Sequence, residues 1–474
     1  MPYQGEFAQY EPLRRIANEK SIESLLARSK PQEPITSVSL PRIPFADIEP
    51  SQFHPTHIIA IDGSNISVPI KDGYPGAELG YVTVASVILN LELLTKLDEN
   101  RPVNPVEYRK TEDAESIDSV FPGCNIVLDN DRSAKSSFRK VIYELLDGKR
   151  LFEDGESLLE TYEALLASKP DEEQKCPYAD MYEDNCLAKQ PVYKREKGTY
   201  RCHCVACFPL YSTDALRVHE RFHPDGTNAA IYTEIMQVLE RLWLVHILRG
   251  FEKKGYLRLL KNFAFILDGP LAVFGQPAWL SQSIKQELKR LNEIAKPHTD
   301  GHDLLIIGIE KSGTFVTHFE QLVRTNQDET SSEGIDIPFN QLSAYHMNNS
   351  LVPPQTACLL TDDYIKRNII YSESTRPYGR QTYFGRKFFY RTKSGAQIVA
   401  SLPFLTDYHE DVKHANPDQY PRLADAMALF DQLVSSRYPN SLAPVVAAHA
   451  EASIPLNLGK KVLEKMARDL MQDS

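Results

Sequence analysis

His57 to Ser64 and Phe263 to Pro270 each read as an apolar run closed by the same pair of residues, Asp62-Gly63 in one and Asp268-Gly269 in the other. A short run rich in β-branched and aromatic residues that ends in a turn signal predicts a buried strand. Each aspartate then stands at a strand end, where the glycine permits a sharp turn of the backbone. If the two strands lie side by side, two carboxylates meet at one edge of a sheet. Such a pair can hold divalent metal for phosphodiester hydrolysis, activating water and steadying the leaving oxygen. Taken singly, each Asp-Gly step is simply a turn; the repetition is what points to chemistry.

A two-metal site asks for more than two acidic ligands. The helical pattern from Thr227 to Lys254 offers Glu234 and Glu240. At roughly 100° per residue, Ile231, Ile235, Val238, Leu242 and Val245 form a stripe beside Glu234, and Glu240 falls about 240° away from it. A carboxylate bordering an apolar stripe has to be paired or metal-bound. Arg241 is the available ion partner, but the strand that follows delivers Asp268, so Glu234 is the expected third ligand.

Five of the seven cysteines fall between Cys176 and Cys207, which suggests metal before disulfide in a cytosolic chain. Cys202, Cys204 and Cys207 followed by His219 and His223 resemble a two-cysteine, two-histidine zinc finger, spaced C-x2-C-x11-H-x3-H from Cys204 or C-x4-C-x11-H-x3-H from Cys202. Tyr200, Tyr211 and Leu216 occupy that module's small core. Ser212 reads as the N-cap of a helix carrying both histidines on one face. Cys202 and Cys204 remain alternatives as ligand, and Cys176 and Cys186 could belong to a second or rearranged site. In so small a module zinc replaces a missing core, which favours a structural role over base reading.

These residues sit in a chain of 474 residues, 42% hydrophobic and 25% charged, as in an ordinary globular protein of two or three units. The net charge of −11 argues against coating nucleic acid by bulk attraction. One local surface could still grip it. From Ser374 to Phe404 there is no acidic residue, and Arg380, Arg386, Lys387, Arg391 and Lys393 interleave with Tyr378, Tyr383, Phe384, Phe388, Phe389 and Tyr390. That is the pattern of a single-strand groove, or equally of a hairpin whose aromatics are core and whose basic face is solvated. Strand patterns at Tyr81 to Glu92, Asn125 to Leu128 and Leu304 to Ile309 alternate with helical ones at Glu11 to Ser29, Ser136 to Leu146 and Thr227 to Lys254, which implies an α/β core. Four segments follow: an extended and helical start (1–50), a first core part (51–150), a charged finger-like insertion (151–226) and a second core part with C-terminal helices (227–474). With no basic-then-apolar leader and no run of about eighteen apolar residues, a cytoplasmic protein without a membrane span is expected.

In this order and strand context, several elements together resemble the NurA nuclease family of the bacterial, HerA-associated type, with an inserted zinc-finger-like module. They are Ala60 to Ser64, the helix bearing Glu234, Ile266 to Leu271, Ile307 to Lys311, Tyr438-Pro439 and Ala447-Ala448-His449. The resemblance implies an RNase H-like mixed sheet flanked by helices, and cleavage of DNA that depends on Mn2+ or Mg2+. It implies a homodimer working with a HerA-type hexameric ATPase in DNA end processing and repair, or in defence against phage. Carried over by position, Asp62, Glu234 and Asp268 are metal ligands, His449 is a ligand or proton shuttle, Tyr438 orients substrate or water, and Lys311 contacts phosphate. The interval from Tyr438 to His449 is longer than the family's usual one. The finger insertion also parts Asp62 from Glu234 by more chain than a compact member has. No G-x-x-x-x-G-K-[ST] loop is present, so ATP-driven movement belongs to another protein. A zinc-finger adaptor with an inactive core is the alternative, distinguished by loss of the acidic set, which this chain retains. An enzyme of the same fold acting on RNA is a third reading.

Overall fold

A computed structural model describes residues 11–29, 39–51, 54–71, 76–91, 112–169, 176–178, 197–202, 208–324, 352–434, 442–453 and 458–472. The fold is mixed α/β. In chain order its strands are β1 (Arg42–Pro44), β2 (His57–Lys71), β3 (Ala77–Asn90), β4 (Glu112–Pro122), β5 (Thr199–Arg201), β6 (Pro209–Tyr211), β7 (Phe263–Asp268), β8 (Leu305–Glu310), β9 (Thr356–Leu359), β10 (Gly385–Arg391) and β11 (Gln397–Pro403). Among the described residues nine of them form one sheet, in the order β1-β9-β10-β11-β8-β7-β2-β3-β4, and β5 and β6 form a separate ribbon. Only the β2-β7 and β7-β8 pairs are parallel; the other pairings in the sheet are antiparallel.

The two parallel pairs are the buried centre, as their continuous apolar runs require. On one face, odd-numbered residues such as Ile59, Ile61, Phe265 and Leu267 pack under helices α3 (Ala134–Gly148), α4 (Leu158–Leu166), α5 (Ala229–Lys253) and α6 (Leu280–Ala295). On the other face, Ile58, Ala60, Ala264 and Ile266 pack with α9 (Leu423–Leu433) and α10 (Ala443–Ala452). A third cluster joins Phe389, Val399 and Cys358 to α7 (Thr314–Arg324) and α8 (Asp362–Asn368). Two N-terminal helices, α1 (Glu11–Asn18) and α2 (Lys20–Arg28), replace the single one expected, and the chain ends in α11 (Leu458–Gln472).

Three expectations change. β2 does not turn at Asp62-Gly63 but runs on to Lys71, paired with β3, and only its pairing with β7 stops at Ile61. Asn125 to Leu128 is not a strand: Asn125 takes a left-handed backbone (φ 56°) and opens a turn. The strand of that region is β4, whose acidic sequence hides it. It is the sheet's outer strand, and charge is the usual device that protects such an edge. The segment 151–226 also shares the main core. Leu158, Leu159, Tyr162, Leu165, Leu216, Val218 and Phe222 all join the cluster of α3, α5 and α6, while Cys176, Tyr178, Cys202, Phe208 and Leu210 form a small cluster of their own. No helix among the described residues is long and apolar enough to cross a membrane.

Candidate functional site

Ile61 stands opposite Leu267 in the parallel β2-β7 pair, so the next step along both strands places Asp62 beside Asp268. Side chains alternate across a sheet, which turns both carboxylates toward the face covered by α10. Asp62 is 2% exposed and Asp268 27%. Each carboxylate accepts a bond from the backbone N–H of its own following glycine, Gly63 at 2.8 Å and Gly269 at 3.1 Å. Gly269 has φ +79°, a turn that a side chain would strain.

Two cationic or titratable groups complete the cluster. Lys311, just past β8, puts its Nζ 3.2 Å from Asp268 Oδ2 and 3.9 Å from Asp62 Oδ2. His449 on α10 places Nδ1 2.9 Å from Asp62 Oδ2. Burial, followed by the like charge of Asp268, pushes the Asp62 carboxyl up to about 6, against the opposing pull of Lys311 and His449. The donor set of two carboxylates and an imidazole suits a hard divalent cation. Among the described residues, however, no group of three or more such side chains converges as a metal cage. The two aspartates share Lys311 instead.

Glu234 is not with them. It is buried (6% exposed), its Oε1 accepts the backbone N–H of Gln276 at 2.6 Å, and Arg221 Nη1 lies 3.3 Å from Oε2. Gly275 packs directly on this carboxylate, with φ +77° and no room for a Cβ. Glu234 thus clamps the loop that leads into α6, and burial raises its pKa. The acidic residue of α5 that meets β2 is Glu240, at Gly63 and so on the face opposite the Asp62 carboxylate. A Cβ on Gly63 would lie 2.7 Å from its Oε1. Glu240 pairs with Arg241, whose Nη2 donates to the carbonyls of Asp268 (3.1 Å) and Pro270 (3.2 Å). Helix α5 is buried on nearly all sides, Trp243 to Leu248 included, so bordering one apolar stripe does not single out a functional face. Glu234→Ala is expected to lower stability by roughly 1–3 kcal/mol through the orphaned Gln276 N–H, read by urea unfolding, with the aspartate cluster left intact.

The basic aromatic block does not form the expected groove. Phe384, Phe388, Phe389 and Tyr390 are fully buried in the β10-β11 region of the sheet. Arg386 is buried too, and donates to the carbonyls of Leu360, Asp411 and His414. Lys387 pairs with Glu310, and Arg391 donates to the Val352 carbonyl at 2.7 Å. These three cations satisfy buried acceptors, which removes them from a phosphate track. Arg380 and Lys393 are exposed.

The expected finger helix is also replaced. Ser212–Leu216 and Val218–Arg221 are two short 3-10 turns, divided by Arg217 in a left-handed conformation (φ 63°). His219 is buried, with Nδ1 3.9 Å from Asp214, a carboxylate that Arg139 grips at 2.7 and 2.5 Å. Burial pushes the His219 pKa down to about 3, and its Nε2 has no hydrogen-bond partner. His223 is exposed, so the two histidines share no helix face. Cys202 closes the β5-β6 ribbon: its Sγ accepts the Phe208 N–H at 3.1 Å, and Cys176 lies in the same apolar cluster. Cys186, Cys204, Cys207 and Tyr438 lie outside the described residues.

A family profile for the NurA domain matches residues 56–454. No curated protein matches the chain. Among solved structures, the NurA nuclease from Sulfolobus solfataricus is 12% identical, with 98% of this chain and 97% of that one covered and a TM-score of 0.31.

Proposed function

The chain belongs to the NurA domain family, and on that premise we propose that it is a divalent-metal-dependent deoxyribonuclease built on an RNase H-like core. The observation that supports this most is the placing of Asp62 beside Asp268 where the parallel β2-β7 pairing ends, flanked by Lys311 and His449. Asp62 and Asp268 are the residues that would hold Mn2+ or Mg2+, with His449 in reach of the same oxygen; Glu234, the third ligand that the resemblance implies, is held by the Gln276 N–H and Arg221 instead. Such an ion, when bound, supplies Lewis-acid stabilisation of the phosphoryl group and lowers the pKa of water. The chain's own groups do the rest. Lys311 offsets negative charge that develops on the phosphate oxygens. His449, mostly exposed and hydrogen-bonded to Asp62, holds or passes a proton at Nδ1.

The wider reading follows the family. The enzyme works as a homodimer in the cytoplasm with a HerA-type hexameric ATPase, in DNA end processing or in defence against phage. Tyr438 orients substrate or water. Segments 51–150 and 227–474 make up the nuclease core, and 151–226 elaborates it. A structural Zn2+ completes the finger-like module, with Cys202 or Cys204, Cys207, His219 and His223 as its candidate ligands and Cys176 and Cys186 as those of a rearranged site; the burial of His219 against Asp214 and the exposure of His223 favour the thiols. Metal analysis of the purified chain is expected to find one zinc, retained in His223→Ala and lost in Cys207→Ser; zinc lost with His223 restores the finger pattern instead.

The direct test is cleavage of labelled linear DNA in Mn2+, Mg2+ or EDTA, comparing wild type with Asp62→Ala. Cutting that persists in the variant removes the site. No cutting by wild type, alone or with the translocase, favours the inactive adaptor, and equal cutting of RNA removes the restriction to DNA.

A further inference from the structure

Both Asp-Gly steps of the candidate site rest on two consecutive residues of α5. Glu240 lies against the first: a Cβ on Gly63 would lie 2.7 Å from its Oε1, and equally close to Met236 Cγ one helical turn earlier. Arg241 lies against the second, where a Cβ on Gly269 would lie 3.0 Å from its Nη2. Gly63 sits within β2, opposite Val84 of β3, so space rather than a turn demands a glycine there. The approach is from behind, because Gly63 follows Asp62 by one residue and side chains alternate across a strand.

Arg241 does more than neutralise Glu240. Both side chains are 4% exposed, and Nη1 of the arginine meets the carboxylate. Its Nη2 spans two carbonyls, Asp268 at 3.1 Å and Pro270 at 3.2 Å, which bracket the left-handed turn at Gly269. The Gly269 N–H in turn donates to the Ile309 carbonyl of β8 at 2.6 Å. A planar guanidinium holds several acceptors in one fixed geometry, which an ammonium on a flexible stem does not. The pair therefore ties the backbone of Asp268 to β2 at the residue after Asp62.

We propose that Glu240 and Arg241 are positioning residues of the metal site: from behind the sheet, the pair sets the separation of the Asp62 and Asp268 carboxylates through Gly63 and the Asp268–Pro270 turn. This rests on the reading of the two aspartates as metal ligands. Charge and position predict opposite signs. The charges of Asp268 and Asp62 act on Arg241, so its own positive charge opposes a cation held between them, and removing that charge alone tightens metal binding. Losing the alignment weakens it, by about ten- to a hundredfold for a group that orients a metal ligand.

The test is titration of the full-length chain with Mn2+, the free ion being read by electron paramagnetic resonance, beside urea unfolding of the same samples. Asp62→Asn is the control that locates the ion, and its binding is expected to be lost there. The double variant Glu240→Gln/Arg241→Met removes a neutral pair as a whole, so it is expected to fold with most of the wild-type stability. It is nevertheless expected to bind Mn2+ about ten- to a hundredfold more weakly than wild type. Arg241→Lys keeps the charge but not the fork and is expected to shift affinity the same way; if the double variant does not fold, this one decides. Mn2+ affinity equal to or tighter than that of wild type in the folded variants overturns the proposal, as does wild-type binding that Asp62→Asn leaves unchanged. DNA cleavage by wild type is scored separately. Weakened Mn2+ binding in the variants without any cleavage by wild type removes the nuclease reading alone, and cleavage with unaltered affinity in the variants removes the positioning role alone.

Discussion

Asp62→Asn is expected to reduce metal-dependent DNA cleavage by about a thousandfold or more while making the metal-free chain more stable. In the proposed site Asp62 would hold the metal, whose loss removes several kcal/mol of charge stabilisation in the transition state, and each 1.36 kcal/mol is about a factor of ten in rate. The stability half follows from burial. Folding raises the Asp62 pKa from 3.8 to about 6, so between those values the folded chain binds a proton that the unfolded chain has released. A raised carboxyl costs nothing below the unfolded value. The cost appears as pH climbs through the folded value, reaching about 3 kcal/mol near neutrality at 1.36 kcal/mol per unit. The metal-free wild type should therefore lose stability from about pH 4 to about pH 7, and Asp62→Asn should lose less. An amide still accepts the Gly63 N–H, so that contact is kept. Chemical unfolding in EDTA across that range checks the sign; a wild type that gains stability over it, with Asp62→Asn weaker throughout, is the contrary result.

The second large effect belongs to the buried pair behind the aspartates. Arg241→Met is expected to destabilise the chain by roughly 3–5 kcal/mol, because it leaves Glu240 buried and unpaired and frees the carbonyls of Asp268 and Pro270. Arg241 is itself wholly desolvated, which pulls its pKa down to about 10 against the opposing charges of Asp268 and Asp62. Combining Arg241→Met with Glu240→Gln is expected to recover most of the loss, since replacing both members of a buried pair costs far less than removing one. Urea midpoints for the two singles and the double form the cycle. Additive losses would mean that Arg241 acts through the Asp268 turn alone.

The parts of this molecule readable from local pattern are those whose environment is uniform along the chain. The first half of β2, with β7 and β8, lies at the buried centre, so those residues are apolar without interruption, and β7 and β8 end in Asp268 and Glu310. Helices α3 and α5 likewise emerged from their apolar periodicity. β4 did not, because an outer strand can be acidic and still pair along its full length with β3. The zinc-finger pattern matched many positions in spacing, yet a single left-handed residue, Arg217, and the Arg139–Asp214 pair draw His219 into the core.

By itself the sequence determined that two buried apolar runs each lead into an Asp-Gly step, that the chain is α/β, and that Lys311 follows a third such run; pairing with β3 carries β2 through its step to Lys71. Strand burial and turn chemistry act within a few residues, so the sequence records them directly. The tertiary structure alone decided which partners meet. His449 reaches Asp62 across 387 positions, Glu240 packs on β2 at Gly63, and Arg386 and Arg391 spend their donors on carbonyls brought from distant loops. Those outcomes depend on which helix face meets which strand end and on the need of every buried polar group for a partner, and neither is written in spacing along the chain.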